Sequence, residues 1–572
     1  NLTINDVDNA AATTTYAVVL VDNGSAPNDE ISISDNGTVL DIDANGVVGV
    51  DNNRTINITV TGLNVAIDDS GVNVGSTTGV FGLSASGTIT SGDTANNIAN
   101  ITAGTLNITA ATGAGSNTGN RAIDVDITTA SVTGVSGGVY LDAVGIGGSS
   151  YTIATTAAGD ITLTSASEAL TLTNVTSNAG NISASVSGQA GTAITATSVV
   201  GGDSSVDSEH VTLTTTTSGN ITLANVTATG DEVRVISAGN ITDADGTATT
   251  LVTASGIKLD SASGVGASDR PITTNGTTLA ARSTSSGGVF FTESDGISVG
   301  TVNGLSGISA VGDVIGTVTE ISDSPAGVND LTVANNITSS TADILLQAGD
   351  DIIINTGVIL TATTATKTIT LSSGFGDLDD GIGSVTNNGT LTTSTQIATG
   401  NASNDTFTYN GASISTPATV TVAGNAGDDR LVIDYSLGLP FATNAIVTFD
   451  GGGHTGGDSM KLVGDGVATA VYTPSATVSG TGSVVITDGS NVLTVNFSNI
   501  EPIDVTAFAS YTITLPAGTR VVNVTNGTAD SNPLQAAMVV SGTTNGIGFE
   551  SYHAWNNDLL TIDTATNAGN DT

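Results

Sequence analysis

A phrase of glycine, then Asn or Asp, then Ile, Thr or Ser, and a fifth, mostly apolar residue returns along this chain at near-regular intervals. It reads Gly159-Asp160-Ile161-Thr162-Leu163, Gly180-Asn181-Ile182-Ser183-Ala184, Gly219-Asn220-Ile221-Thr222-Leu223 and Gly239-Asn240-Ile241-Thr242-Asp243. The glycines step by 21, 39 and 20 residues, the middle step being close to two repeats. Looser copies follow at Gly256-Ile257-Lys258-Leu259, Asn275-Gly276-Thr277-Thr278-Leu279 and Gly296-Ile297-Ser298-Val299. A unit of about 20 residues is too short to enclose a core of its own and must stack on its neighbours. The spacing therefore predicts a solenoid, each coil giving two or three short strands to parallel sheets.

The remaining composition agrees. Val, Ile and Thr favour strands, while Gly, Asn and Asp supply turns. Long amphipathic helical patterns are missing, so the expected class is all-β. A Gly-rich, polar chain invites disorder as an alternative, but the positive mean hydropathy of +0.21 and the regular β-branched triplets oppose it. Three stretches are expected: 1–86 as a β-rich start of the solenoid, 87–399 as β-helix repeats of about 20 residues per coil, and 400–572 as an irregular β-helix or β-rich module. Aromatic residues and prolines concentrate in the last. Ile161, Ile182, Ile221 and Ile241 share one place in the phrase and are expected in one inward-facing row.

The net charge of −43 comes from 53 acidic and 10 basic residues. Such a surface repels nucleic acid and anionic lipid. No run approaches the ~20 apolar residues of a membrane span. The chain has no cysteine, which fits an exported protein held by backbone pairing rather than crosslinks, extracellular or on the cell surface. The carboxylates admit two readings, plain solubility or the holding of divalent cations.

Candidate cation ligands fall in two places. Asp41-Ile42-Asp43-Ala44-Asn45-Gly46 matches the first half of a calcium loop, with Asp41, Asp43 and Asn45 as ligands, though it is equally a good β-turn. Near the C-terminal end, Gly400-Asn401-Ala402-Ser403-Asn404-Asp405, Gly424-Asn425-Ala426-Gly427-Asp428-Asp429 and Gly451-Gly452-Gly453 to Asp458 offer Asp405, Asp428, Asp429 and Asp458, again as calcium ligands or as acidic turns. Further acidic turns stand at Asp243-Ala244-Asp245, Asp350-Asp351 and Asp377-Leu378-Asp379-Asp380. The histidines, His210, His454 and His553, lie far apart. Phe549, Tyr552, His553 and Trp555 read as a core cluster or as a platform for a glycan. A sugar-cleaving enzyme needs clustered carboxylates, or a base beside calcium, with aromatic subsites; the scattered basic residues and the near absence of aromatics over 90–380 disfavour it.

The Gly-Asn-Ile-Thr-Leu coils resemble the repeats of filamentous haemagglutinin-type adhesins. That resemblance implies a right-handed parallel β-helix serving as an extracellular stalk or fibre in adhesion and biofilm, with no catalytic activity. The Gly-Asn-Ala-Gly-Asp-Asp phrases are similar to the calcium-binding repeats of RTX proteins, which implies calcium as the cofactor. The secretion signature Asn-Pro-x-Gly of the adhesins is not matched, since Asn532-Pro533 is followed by Leu534-Gln535. The sequence ends within a repeat phrase, Asn567-Ala568-Gly569-Asn570-Asp571-Thr572. The expectation is a longer rod, or protomers joined in a homo-oligomeric fibre, with a glycan or surface receptor as a further partner.

Overall fold

A computed structural model describes residues 55–564, apart from 62–63, 68, 70–71, 93–97, 119–120, 203–208, 245, 247–248, 321–327, 365, 377–381 and 411–418. Before them it describes the strands Leu2–Asn5, Thr14–Leu20, Asp29–Asp35 and Val39–Asp43. No helix occurs among the described residues. The chain forms a parallel β-solenoid of about 24 residues per turn, where the spacing had predicted about 20. It divides into two compact units, 1–276 and 277–572.

In the first unit, inward-pointing residues form three stacked rows. Val139, Ile161, Ile182, Val211, Val233 and Ile257 make the first. Leu170, Ile194, Ile221, Ile241 and Val265 make the second. Ile153, Val175, Val199, Val226 and Val252 make the third. Each of these side chains is at most 1% exposed. Full burial of such a residue contributes about 1.5–3 kcal/mol, so the rows are the main source of stability.

The expected single row of isoleucines is corrected by this register. All four point inward on parallel strands, but Ile161 and Ile182 belong to the first row and Ile221 and Ile241 to the second. The phrase encodes a corner followed by a short strand, and more than one face of the coil begins that way. The step of 39 residues is therefore one coil plus one face. The short period has another cause: the steps of 21 and 20 each join equivalent corners, Ile161 to Ile182 and Ile221 to Ile241, so these coils are themselves shorter than the average turn of about 24. Individual coils vary as well. The corner at Asn181 meets the next coil at His210, 29 residues on, whereas Asp160 meets Asn181 after 21. Some strands are also longer than the short ones expected. Ile123–Gly134 runs for 12, pairing through its first half with Val139–Ala143 and through its second with Ser149–Ala158, so one strand serves two faces.

The Asn and Asp of the phrase fasten coil to coil. Asp160 Oδ1 accepts from the Asn181 amide at 2.9 Å, Asn181 Oδ1 from the His210 amide at 3.0 Å, and Asn220 Oδ1 from the Asn240 amide at 2.8 Å. Side-chain amide stacking of the kind seen in Asn ladders is a minor part, as in Asn181 Nδ2 donating to Asp160 at 3.2 Å. The side chain supplies an acceptor where the strand ladder is interrupted at the corner. Asn220→Ala is expected to leave the Asn240 amide without its acceptor and to cost about 1–2 kcal/mol. Hydrogen exchange at Asn240 should accelerate; unchanged protection there would refute this role.

In the second unit one row runs Leu331, Ile352, Val385, Phe407, Leu431, Met460, Ile503 and Tyr552. A second runs Val314, Ile344, Ile369, Gln396, Val420, Val447 and Val495. Gln396 is the polar intruder, fully buried, and its amide donates to the Tyr409 hydroxyl at 2.9 Å. A third row, Ile308, Ile337, Leu360 and Leu391, is shorter. From residue 469 antiparallel strands join the parallel ladders. Gly482–Asp488 pairs with both Thr469–Pro474 and Asn491–Ser498, and Ala536–Thr544 with both Arg520–Thr528 and Ile547–Trp555.

Candidate functional site

The strongest concentration of polar side chains that the fold assembles lies at one stacked corner of the second unit. It is built from the three Gly-Asn-Asp phrases. In Gly424-Asn425-Ala426-Gly427 the chain reverses through Asn425 at φ +78° and Gly427 at φ +113°. A side chain at Gly427 would also collide with the Ser403 carbonyl of the preceding coil, 2.2 Å from where its Cβ would sit. The glycine that opens each phrase has a different task. A Cβ at Gly400, Gly424 or Gly451 would fall 2.0, 2.0 and 2.3 Å from Oδ2 of Asp405, Asp429 and Asp458, so each carboxylate folds back over its own glycine.

These three aspartates form a buried column, 1%, 0% and 0% exposed. The Asp405 amide donates to Asp429 Oδ1 at 2.7 Å, and the Asp429 amide to Asp458 Oδ1 at 2.7 Å. Asp405 Oδ2 accepts from the Asn401 amide at 2.7 Å. Asp458 Oδ2 lies 2.9 Å from His454 Nδ1. Oδ2 of Asp429 has no hydrogen-bond partner. Burial, followed by the charges of Asp458 and Asp428, pushes its carboxyl up to about 7. Asp428 is its opposite. Its Oδ1 accepts from the amides of Thr455, Gly456 and Gly457 at 3.1, 2.6 and 3.1 Å, and these amides hold its pKa below the ordinary carboxylate value. Its own amide donates to Asn404 Oδ1 at 2.6 Å.

The structure thus brings four of the seven proposed cation ligands, Asp405, Asp428, Asp429 and Asp458, to one corner. Much of their acceptor capacity there is taken by backbone amides. Asp41 and Asp43 lie in the strand Val39–Asp43, and Asn45 lies outside the described residues. Asp245, 377–381 and 565–572 are outside them too. Among the described residues no group of three or more His, Asp and Glu is arranged to hold a metal ion.

Beside the column a groove of about 370 Å³ is lined by Asn404, Thr406, Asp428, Arg430, Ser459 and Asp530. Arg430 donates to Asp530 Oδ2 at 2.7 Å and to Ser459 at 2.9 Å. Asp530 comes from the turn between two antiparallel strands, 100 residues further on. Its amide, with that of Ser531, binds Asp504, which lies 3.5 Å from His553 Nδ1. No local motif pointed to this pairing. The aromatic group near the C-terminal end is largely core. Tyr552 is fully buried and Phe549 is 5% exposed. Tyr552 packs against Tyr472 and Tyr511 with ring centroids 4.4 and 5.6 Å apart. No helix among the described residues is long and apolar enough to cross a membrane.

No protein family, curated protein or solved structure matches this chain.

Proposed function

We propose that this chain is a non-catalytic structural element of an extracellular or cell-surface fibre, stalk or adhesin. The observation that supports it is how the polar side chains are used. At corner after corner Asn and Asp oxygens accept from the backbone of the adjoining coil. At these corners the acidic side chains serve stacking, as a load-carrying repeat requires. The fold itself is shared by stalks and by carbohydrate-active enzymes, so the site must carry the choice. Copies of the chain joined in a homo-oligomeric fibre, and a glycan or surface receptor as ligand, belong to the same reading. Calcium at Asp428, Asp429 and Asp458 would neutralise the column and stiffen such a fibre.

The enzyme alternative rests on the groove of Asp428, Arg430 and Asp530, where two carboxylates flank a base. Both readings are tested together. Electron microscopy of native material, with and without chelator, should show filaments or stalks. The purified chain should release no reducing or unsaturated sugar from a panel of acidic and neutral polysaccharides. Sugar release that disappears in Asp428→Asn would establish the enzyme instead.

A further inference from the structure

A second arrangement, in the first unit, is independent of the C-terminal column. Glu168 follows the strand Ile161–Ser165 and is 1% exposed. Its Oε1 meets the Ser149 hydroxyl in a short contact, and that hydroxyl also reaches the Ile127 carbonyl at 3.1 Å. Its Oε2 has no hydrogen-bond partner. No basic side chain among the described residues pairs with it. The amides of Gly145 and Gly148 lie against its carboxylate. A buried carboxylate in this state is costly unless a proton or a cation joins it.

The surroundings favour the cation. A Cβ built on Gly145 would lie 2.6 Å from Asp126 Oδ1 and 3.0 Å from Glu168 Oε2. Two carboxylate oxygens therefore converge on the space that this glycine leaves open. Its φ is not in the left-handed region, so the demand is for room and not for backbone freedom. Asp124 and Asp142, cross-strand neighbours on adjoining coils, add negative charge nearby.

We propose that Asp126 and Glu168 hold a calcium-sized divalent cation over Gly145, with hydroxyl, carbonyl or water oxygens completing the shell. Two carboxylates place such a site in the weak range of extracellular modules, with Kd of about 10⁻⁴–10⁻³ M. The test is a titration of the full chain with terbium, competed by calcium chloride, at about 0.15 M salt to screen surface carboxylates. Tyr151, buried two residues from Ser149 on the strand Ser149–Ala158, is the sensitiser. We expect one saturable, calcium-competed signal whose affinity falls at least tenfold in Glu168→Gln. Gly145→Ala keeps every carboxylate and only fills the gap; it should give the same loss, and it decides the matter if Glu168→Gln does not fold. Wild-type titrations in Gly145→Ala, or a terbium signal that calcium does not displace, would overturn the proposal.

Discussion

Glu550→Gln is expected to stabilise the second unit by about 3 kcal/mol at pH 8 and to leave it unchanged at pH 4. Glu550 is fully buried in the strand Ile547–Trp555. The Tyr472 hydroxyl donates to its Oε2 in a short contact, while Oε1 has no partner. Burial pushes its carboxyl up to about 7; the Tyr472 hydrogen bond offsets part of this, and the charge of Glu501 adds to it. The unfolded value is about 4.5. Below that pH both states carry the proton and the fold keeps its full stability. Between about 4.5 and 7 the unfolded chain releases the proton while the folded chain retains it. Stability then falls by about 1.4 kcal/mol per pH unit and levels off above about 7. A neutral glutamine keeps the acceptor for Tyr472 and removes the ionisation. Trp555 is the sole tryptophan and lies on the same strand. Its fluorescence during urea unfolding at the two pH values isolates this unit. Equal wild-type and variant midpoints at pH 8 would show that Glu550 ionises without penalty.

Gly180→Ala should destabilise the first unit by about 3 kcal/mol. Gly180 stacks on Gly159, and Gly159 on Gly137 and Gly138. A Cβ at Gly180 would sit 2.6 Å from the Gly159 carbonyl carbon and oxygen, and one at Gly159 would sit 2.7 Å from those of Gly137. The obstruction is backbone, which cannot swing aside as a side-chain tip can. To admit the methyl group, the coils must separate and lengthen the ladder bonds on either side. Gly147→Ala is the control, because nothing lies within 4 Å of its would-be Cβ. It should be neutral, or stabilising by a few tenths of a kcal/mol through the unfolded chain. Circular dichroism melts of the two variants give the comparison. If they melt together, the glycine stack is not what sets the coil spacing.

The glycine that made the repeat visible is thus the residue whose volume the stacking forbids to grow, and that part of the architecture could be read directly. The alternation that buries Ile161, Ile182, Ile221 and Ile241 was equally legible, since it depends only on neighbours along the strand. Their assignment to two rows was not. The corners are chemically alike, and coils differ in length, 29 residues from Asn181 to His210 against 21 from Asp160 to Asn181, so counting residues loses track of the face. The meeting of Asp405, Asp428, Asp429 and Asp458 followed from repeated phrases, but their use as backbone acceptors depends on the adjoining coil. Glu550 went unnoticed between Phe549 and Tyr552. Its burial arises from the irregular register between Val540 and Gly542, where Ala536–Thr544 meets Ile547–Trp555. The Arg430–Asp530 pair spans 100 residues and leaves no local trace.

The corner ladder has one further consequence. Asp160, Asn181 and Asn220 do the same job, each offering Oδ1 to an amide in the following coil. The position asks first for an oxygen acceptor, although at Asn181 the amide branch also donates to Asp160. Where the second branch makes no such bond, as at Asn220, Asn can exchange for Asp with the coil left in place, one unit of charge at a time. Part of the excess of 53 acidic over 10 basic residues is therefore adjustable almost independently of folding. A lineage moving between dilute and saline water, or between one charged surface and another, could retune its electrical character along the corners while the stacked interior stayed as it was.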